Sequence, residues 1–164
     1  MCGIIGYTGH RIAATILLEG LSKLEYRGYD SAGIAVISPS GETVVSKSQG
    51  KLSALVETLG NDLPTGTTGI GHTRWATHGG PTDVNAHPHT DCRNEIAVVH
   101  NGIVENFVEL SRQLEAQGHV FASETDSECI SHLIESYMQD DHPLEEAVRR
   151  SAGRIRGAHA VVAT

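Results

Sequence analysis

The chain has 164 residues, of which 39% are hydrophobic and 20% charged, a composition typical of one globular domain with a substantial core. Twelve Lys and Arg against twenty Asp and Glu give a net charge of −8, which argues against nucleic acid or an anionic membrane as the main partner. No apolar stretch is long enough to cross a bilayer, and the start lacks the basic region of a signal peptide. Three scattered cysteines without metal-ligand spacing favour a reduced, cytoplasmic environment.

The first half of the chain predicts a strand, a helix, a β-hairpin and a second helix. The apolar run at 3–7 predicts the strand, and residues 12–24 place their apolar side chains on one helical stripe. The segments 33–38 and 42–48 flank a Pro-Ser-Gly turn and predict the hairpin. A short helix is expected over 51–59.

The second half predicts helices over 104–117, 126–138 and 144–154, followed by a strand over 158–164. Strands and helices therefore come in runs, which favours antiparallel sheets with helices stacked on them over βαβ alternation. The last strand stops in mid-element, so we expect the chain to be a piece of a longer protein.

Cys2 is the first residue with unusual chemistry, because it becomes terminal if Met1 is removed. A thiol is mostly protonated near pH 7 and needs a base, and a free α-amine with a pKa of ~7.7–8.0 can serve as one. A terminal cysteine therefore carries nucleophile and base on one residue. The alternative is a small buried side chain, as most cysteines are.

The segment HTRWATHGG at 72–80 is a second candidate site. The guanidinium of Arg74 suits a carboxylate, Thr77 offers a hydroxyl, and the glycines indicate a loop that can move. The alternative is a surface loop with Trp75 anchored in the core and a solvated arginine.

Asn101 and Gly102 follow an apolar strand at 96–99. An Asn-Gly pair most often forms a turn, but an Asn amide beside a Gly N–H also supplies the donors of an oxyanion hole. Both interpretations stay open on these residues alone.

Asp126 stands at the predicted start of a helix, where a carboxylate is favoured by the helix dipole. Thr125 with Glu128 fits a capping box. Asp126 can also receive a substrate ammonium, and the two roles are compatible.

Four histidines raise the question of a metal site: His72, His78, His87 and His89. No cysteine or carboxylate spacing supports one, and Pro88 between two ligands would be awkward. We therefore expect no metal.

Five motifs occur in an order that resembles the class II (N-terminal nucleophile, or Ntn) glutamine amidotransferases: CGIIGY at 2–7, EYRGYDSAGIA at 25–35, HTRWATHG at 72–79, HPH at 87–89 and HNGIVEN at 100–106. The EYRGYDSAG string differs from the HRGQDSAG type of the phosphoribosyl-pyrophosphate amidotransferases. It is similar to that of the glucosamine-6-phosphate synthases, the glutamine–fructose-6-phosphate aminotransferases (isomerising).

The resemblance implies an α+β fold, a four-layer αββα sandwich of antiparallel sheets (the Ntn-hydrolase fold). We expect residues 1–164 to be a glutamine amidotransferase type-2 (glutaminase) domain that is incomplete at its C-terminus. The sugar isomerase domains of such enzymes are absent from this sequence.

The resemblance also implies catalytic roles. Cys2, exposed by loss of Met1, would attack the side-chain amide of L-glutamine, and its own α-amine would move the proton. The Asn101 side chain and the Gly102 N–H would hold the oxyanion.

Substrate recognition follows from the same resemblance. Arg74 would bind the α-carboxylate of glutamine and Asp126 its α-ammonium. Further residues would line the pocket: Thr77, His78, His87 and Arg27. Trp75, Gly79 and Gly80 would belong to a lid, with Trp75 gating an ammonia channel.

The full-length enzyme implied by the resemblance needs no cofactor, is a cytoplasmic homodimer, and uses the ammonia to convert fructose 6-phosphate to glucosamine 6-phosphate. This chain alone would at most hydrolyse glutamine to glutamate and ammonia. The alternatives are another class II amidotransferase of the purine or asparagine pathway, and a catalytically silent glutamine-binding fragment. A Cys–His hydrolase of papain type is a distant third.

Overall fold

The computed structural model describes residues 2–76 and 78–164. Its strands are β1 (Gly3–Thr8), β2 (Ser31–Ile37), β3 (Thr43–Gln49), β4 (Thr68–Arg74), β5 (His89–Thr90), β6 (Ala97–Gly102) and β7 (His159–Ala163). Its helices are α1 (Ala13–Leu24), α2 (Leu52–Leu59), α3 (Phe107–Ala116), α4 (Glu128–Gln139) and α5 (Leu144–Ala152), with a 3-10 turn at Glu25–Arg27.

Two antiparallel sheets form the centre of the fold. The first has the strand order β1-β4-β2-β3 and the second the order β5-β6-β7. Apolar side chains of α1 and α2 cover the outer face of the first sheet, and those of α3, α4 and α5 cover the second. The predicted α+β class and αββα layering are confirmed.

Small and β-branched side chains fill the space between the two sheets. Ala35 and Ile70 of the first sheet meet Ala97 and Val99 of the second, and all four are buried. Such side chains let two twisted sheets approach closely and interdigitate. The packing of the two sheets therefore fixes the positions of the strand ends of one sheet relative to those of the other.

The predicted elements are all present, but α3 begins at Phe107 and not at residue 104. The reason is tertiary: the Val104 N–H donates to Asp126 Oδ2 at 2.7 Å, and the Glu105 N–H donates to the Arg156 carbonyl at 3.0 Å. Those two residues are therefore held by other segments before the helix starts. Among the described residues, no helix combines the length and apolar character needed to cross a bilayer.

The capping box expected at the start of α4 does not form. The Glu128 carboxylate accepts hydrogen bonds from the backbone N–H groups of Ala122 and Ser123, each at 2.7 Å. The Thr125 hydroxyl lies 2.9 Å from His89 Nε2. Both side chains thus fasten the segment before α4 to its surroundings.

Candidate active site

Strand pairing brings the start of the chain beside the end of β4. Gly3 is opposite Thr73 in the β1–β4 ladder, so Cys2 lies next to Arg74 and Trp75. Strand β6 of the second sheet ends at the same place with Asn101 and Gly102. A cavity of about 560 Å³ opens there, within the range of small-molecule pockets. Its wall includes most of the predicted site residues: Cys2, Arg27, Arg74, Trp75, His78, His87, Asn101, Gly102 and Asp126.

Cys2 is half-buried and held from both sheets. Its thiol receives the backbone N–H of Trp75, with 3.2 Å between N and Sγ. Its carbonyl oxygen accepts hydrogen bonds from Asn101 Nδ2 at 3.2 Å and from Arg27 Nε at 3.3 Å. The position of the thiol is thereby fixed relative to the amide of Asn101.

The interpretation of Asn101 and Gly102 as a turn is wrong, because both residues end strand β6. Gly102 has a φ of +142°, a conformation that favours glycine. A Cβ there would overlap the Ala158 carbonyl and would lie 2.8 Å from His100 Nε2. The backbone at Gly102 can therefore approach the cavity only without a side chain.

Arg74 is a buried cation, 4% exposed, at the end of β4. Its guanidinium donates to the carbonyls of His78, Gly79 (3.2 Å) and Gly80 (3.1 Å). Asn85 Nδ2 also donates to the Gly80 carbonyl, at 3.1 Å. Arg74 is thus buried at the cavity, and the alternative interpretation of a solvated arginine is wrong. Its hydrogen bonds fasten the loop that follows it.

Asp126 supplies a buried anion to the same cavity, and it is 3% exposed. Its Oδ2 accepts the Val104 N–H, whereas its Oδ1 lies 4.0 Å from Nδ1 of the half-exposed His78. One carboxylate oxygen is thus committed to the fold and the other faces the His78 side of the site.

His87 is buried at the cavity wall, and within the described residues neither of its ring nitrogens has a hydrogen-bond partner. Its ring lies 4.2 Å from that of His72 and 4.6 Å from that of His89, measured between centroids. Burial lowers its pKa well below the usual value, so the imidazole is neutral. A neutral imidazole offers one donor and one acceptor to a cavity ligand.

The residues predicted to form a lid follow Arg74 in the chain. The Trp75 side chain is 47% exposed and packs edge-on against Tyr29, with 5.4 Å between ring centroids, so it is not anchored in the core. Gly79 has a φ of +74°, and an added Cβ at Gly80 would meet nothing within 4 Å. Thr77 and Met1 lie outside the described residues.

The family model described as a glutamine amidotransferase domain matches residues 72–164, which is more than half of the chain. The chain belongs to the glutamine amidotransferase domain family. It is 59% identical over 162 residues to the glutamine–fructose-6-phosphate aminotransferase (isomerizing) of Thermus thermophilus, and 56% identical over 163 residues to that of Pyrococcus horikoshii. Both matches cover 99% of this chain but only 26% and 27% of those relatives, so the chain spans about a quarter of their length.

Two solved structures show the same fold over the full length of this chain. The glutamine phosphoribosylpyrophosphate amidotransferase from B. subtilis is 30% identical, with a TM-score of 0.82. The structure of the allosteric regulatory enzyme of purine biosynthesis is 31% identical, with a TM-score of 0.84. This chain covers 35% of each of those chains.

Sequence reasoning missed several residues of the amidotransferase cavity, above all His100 and Ser127. His100 Nδ1 lies 2.8 Å from Ser127 Oγ, and His100 Nε2 lies 2.9 Å from His159 Nδ1. His100 and Ser127 each neighbour a predicted site residue in the sequence, and that proximity was the available signal. His159 carries no such signal, because only the β6–β7 register places it opposite Gly102.

Proposed function

We propose that this chain is the glutaminase domain, residues 1–164, of a glutamine–fructose-6-phosphate aminotransferase, a glucosamine-6-phosphate synthase. The observation that carries the proposal is the hydrogen bond between Asn101 Nδ2 and the Cys2 carbonyl, which sets an amide donor beside a thiol in a cavity with one buried cation and one buried anion. The high identity to relatives of that name supports the choice of enzyme.

In the proposed reaction, Cys2 loses its proton to its own α-amine after Met1 has been removed. The thiolate sulfur then attacks the side-chain amide carbon of glutamine and forms a tetrahedral intermediate. The C–N bond of this intermediate then breaks as the α-amine returns the proton to the leaving nitrogen. Ammonia departs, and a thioester remains on Cys2. Water hydrolyses that thioester to glutamate and restores the thiol.

The oxyanion of the intermediate would be stabilised by Asn101 Nδ2 and the Gly102 backbone N–H. A primary amide has two N–H donors, so Asn101 can hold the Cys2 carbonyl and an oxyanion at the same time. Such preorganised donors act strongly where water is excluded.

The zwitterionic end of glutamine needs one fixed cation and one fixed anion. Arg74 is the proposed partner of the α-carboxylate and Asp126 that of the α-ammonium, since both line the cavity and both are nearly fully buried. The remaining wall would come from Thr77, His78, His87 and Arg27. The loop with Trp75, Gly79 and Gly80 would close over the substrate.

In the full-length enzyme, ammonia would pass to sugar isomerase domains that bind fructose 6-phosphate. A homodimer and a cytoplasmic location are part of the same proposal; the free state of Cys2, Cys92 and Cys129 supports the location. A purine-pathway amidotransferase is the second candidate, because two such structures share the fold. Their identity of 30% and 31% is about half that of the aminotransferases.

A reactive diazo-ketone analogue of glutamine tests the glutaminase site. We expect intact-mass spectra to show that Met1 is lost and that one adduct forms, which peptide mapping should place on Cys2. The Cys2→Ala variant should form no adduct, and it should release no ammonia although the domain stays folded. Cys92 and Cys129 serve as internal controls and should stay unlabelled. A processed, folded chain that is labelled elsewhere, or a Cys2→Ala variant that still releases ammonia at the wild-type rate, would refute the mechanism.

The acceptor is tested separately with the full-length protein. Glutamine-dependent formation of glucosamine 6-phosphate from fructose 6-phosphate is the expected result. Transfer of ammonia to phosphoribosyl pyrophosphate would instead establish the second candidate.

A further inference from the structure

Four potential metal ligands meet on the far side of the second sheet, among residues that do not line the glutamine cavity. They are Cys92 after β5, His119 after α3, and His132 and Glu135 on α4, and together they are called the Cys92 cluster here. Their ligand atoms all lie within 4.8 Å of one another. Three chain segments therefore converge on one point.

Three of four distances within the cluster are close to the edges of a tetrahedral coordination shell, and the fourth is shorter. With Zn–S of about 2.3 Å and Zn–N or Zn–O of about 2.0–2.1 Å, neighbouring ligand atoms are separated by roughly 3.3–3.6 Å. Cys92 Sγ lies 3.8 Å from His119 Nδ1 and 3.6 Å from His132 Nδ1. Glu135 Oε2 lies 2.8 Å and 3.3 Å from the same two nitrogens. Small shifts would open this arrangement to the size that zinc requires.

Both histidines turn the same nitrogen, Nδ1, toward the same sulfur and carboxylate oxygen. His119, His132 and Glu135 are buried, whereas Cys92 is exposed and leaves a path by which an ion can enter. A sulfur, two imidazoles and one carboxylate form a donor set suited to a borderline-soft divalent ion.

The surroundings of the Cys92 cluster resemble the outer shell of a metal site. The other nitrogen of His132, Nε2, is buried without a hydrogen-bond partner among the described residues, and it lies 3.6 Å from Glu128 Oε1. A carboxylate behind a ligating imidazole is the usual device that orients such a ligand. The Val120 N–H also points at Cys92 Sγ, at 3.5 Å, as N–H groups do toward metal-bound sulfur.

We propose that Cys92, His119, His132 and Glu135 bind a structural zinc ion. Four protein ligands close the coordination shell, so the ion has no open position for substrate. It would tie the turn after β5 and the connection after α3 to helix α4, whose preceding residues Asp126 and Ser127 line the cavity. The ion therefore supports the cavity wall without taking part in the chemistry.

Metal binding is measured on the full chain, purified and then stripped with a chelator. We expect about one zinc per chain on reconstitution, by elemental analysis. Cobalt(II) should give the intense visible bands of a tetrahedral site and a sulfur-to-cobalt charge-transfer band. Zinc should also protect Cys92 from alkylation. Peptide mapping of the wild-type protein, alkylated with and without zinc, measures this protection.

Ligand variants identify the site. Cys92→Ser and His119→Gln should weaken cobalt and zinc binding by more than tenfold, and Glu128→Gln by about 10–100-fold through the orientation of His132. Two control variants should bind metal like the wild type. Cys2→Ala matches the loss of a thiol, and His142→Gln matches the loss of a histidine, here one just after α4. Circular dichroism checks that each variant is folded.

The proposal is overturned if the stripped chain takes up no zinc or cobalt, if Cys92 is alkylated equally with and without zinc, or if Cys92→Ser keeps the wild-type cobalt spectrum. In those cases the Cys92 cluster is a hydrogen-bonded network around Glu135. None of these outcomes depends on glutamine hydrolysis, so they stand apart from the test of the proposed function.

Discussion

His72 Nε2 lies 2.9 Å from Asn101 Oδ1, and this contact joins an inner strand of the first sheet to the end of β6 in the second. Burial lowers the pKa of His72 to about 4, so the imidazole is neutral near pH 7. An amide oxygen only accepts, which makes Nε2–H the donor and turns the amide nitrogen of Asn101 toward Cys2. His72 is thus a positioning residue for the proposed oxyanion donor.

Replacing His72 tests this relationship. His72→Leu removes the donor, and we expect kcat for glutamine hydrolysis to fall about tenfold with little change in KM. Asn101→Ala, which removes the oxyanion donor itself, should lower kcat by about 10²–10³-fold. His72→Gln keeps an N–H donor and should recover part of the rate. Equal kcat values for folded His72→Leu and wild type would contradict the role.

Asp126→Asn removes the proposed partner of the substrate ammonium but keeps an oxygen for the Val104 N–H. The loss of a charge-assisted hydrogen bond, about 1.5–3 kcal/mol, should raise KM for glutamine roughly 10–100-fold. Steady-state kinetics with glutamine and with its analogue lacking the α-amine would measure this. The variant should discriminate less between the two substrates than the wild type does. The exposed Asp62→Asn is the control, and a similar KM change there would show a non-specific charge effect.

Gly102→Ala should be more harmful than an ordinary glycine substitution. Its Cβ would overlap the Ala158 carbonyl, so we expect a loss of about 1–3 kcal/mol in the free energy of unfolding, together with loss of activity. Gly118→Ala is the matched control, because Gly118 also has a positive φ, +97°, but no atom within 4 Å of the added carbon. That variant should lose about 1 kcal/mol or less. Similar unfolding curves in urea would show that steric overlap at Gly102 is unimportant.

Stability should depend on pH because several buried histidines, His72 and His100 among them, are neutral in the fold. Burial lowers the pKa of His72 and of His100 to about 4 each, whereas an unfolded histidine has its ordinary value near 6.5. Between these values the unfolded chain binds more protons, so stability is complete above about pH 6.5 and is lost as the pH falls toward 4.

Urea unfolding at pH 7.5 and pH 5 measures this loss. His72 and His100 should each account for about 2 kcal/mol of the difference in the free energy of unfolding between the two pH values. His100→Gln should reduce the difference, whereas His10→Gln, at an exposed position, should not. A free energy of unfolding that does not change with pH in the wild type would contradict the assignment of neutral imidazoles.

Much of the site could be predicted because its residues stand in local motifs at strand ends. Arg74 ends β4 and Asn101 ends β6, and the order of the motifs indicated a family whose sheets bring such ends together. The pairing of His72 with Asn101 could not be predicted, since it depends on how one sheet lies over the other. Their separation in sequence leaves no local signal.

The Cys92 cluster was missed for the same reason. Only histidines that lie near one another in the sequence were considered for a metal site, and the structure stacks the rings of three of them, His72, His87 and His89. Only His132 and Glu135 of the cluster have a helical spacing, and the approach of Cys92 and His119 is fixed by packing. Local patterns therefore described the cavity better than the rest of the molecule.

The cavity lies between two sheets, so its residues come from two different parts of the sequence. Cys2, the proposed nucleophile, and Arg74, the proposed partner of the substrate carboxylate, belong to the part of the chain that forms the first sheet. Asn101, a proposed oxyanion donor, and Asp126, the proposed partner of the substrate ammonium, belong to the part that contributes the second sheet and the segment before α4. In the proposed mechanism, a nascent chain on the ribosome thus carries Cys2 well before Asn101 and Asp126, and it has no place to bind glutamine until the residues before α4 have emerged. Assembly of the site is a late event of synthesis, and the thiol stays unengaged until then.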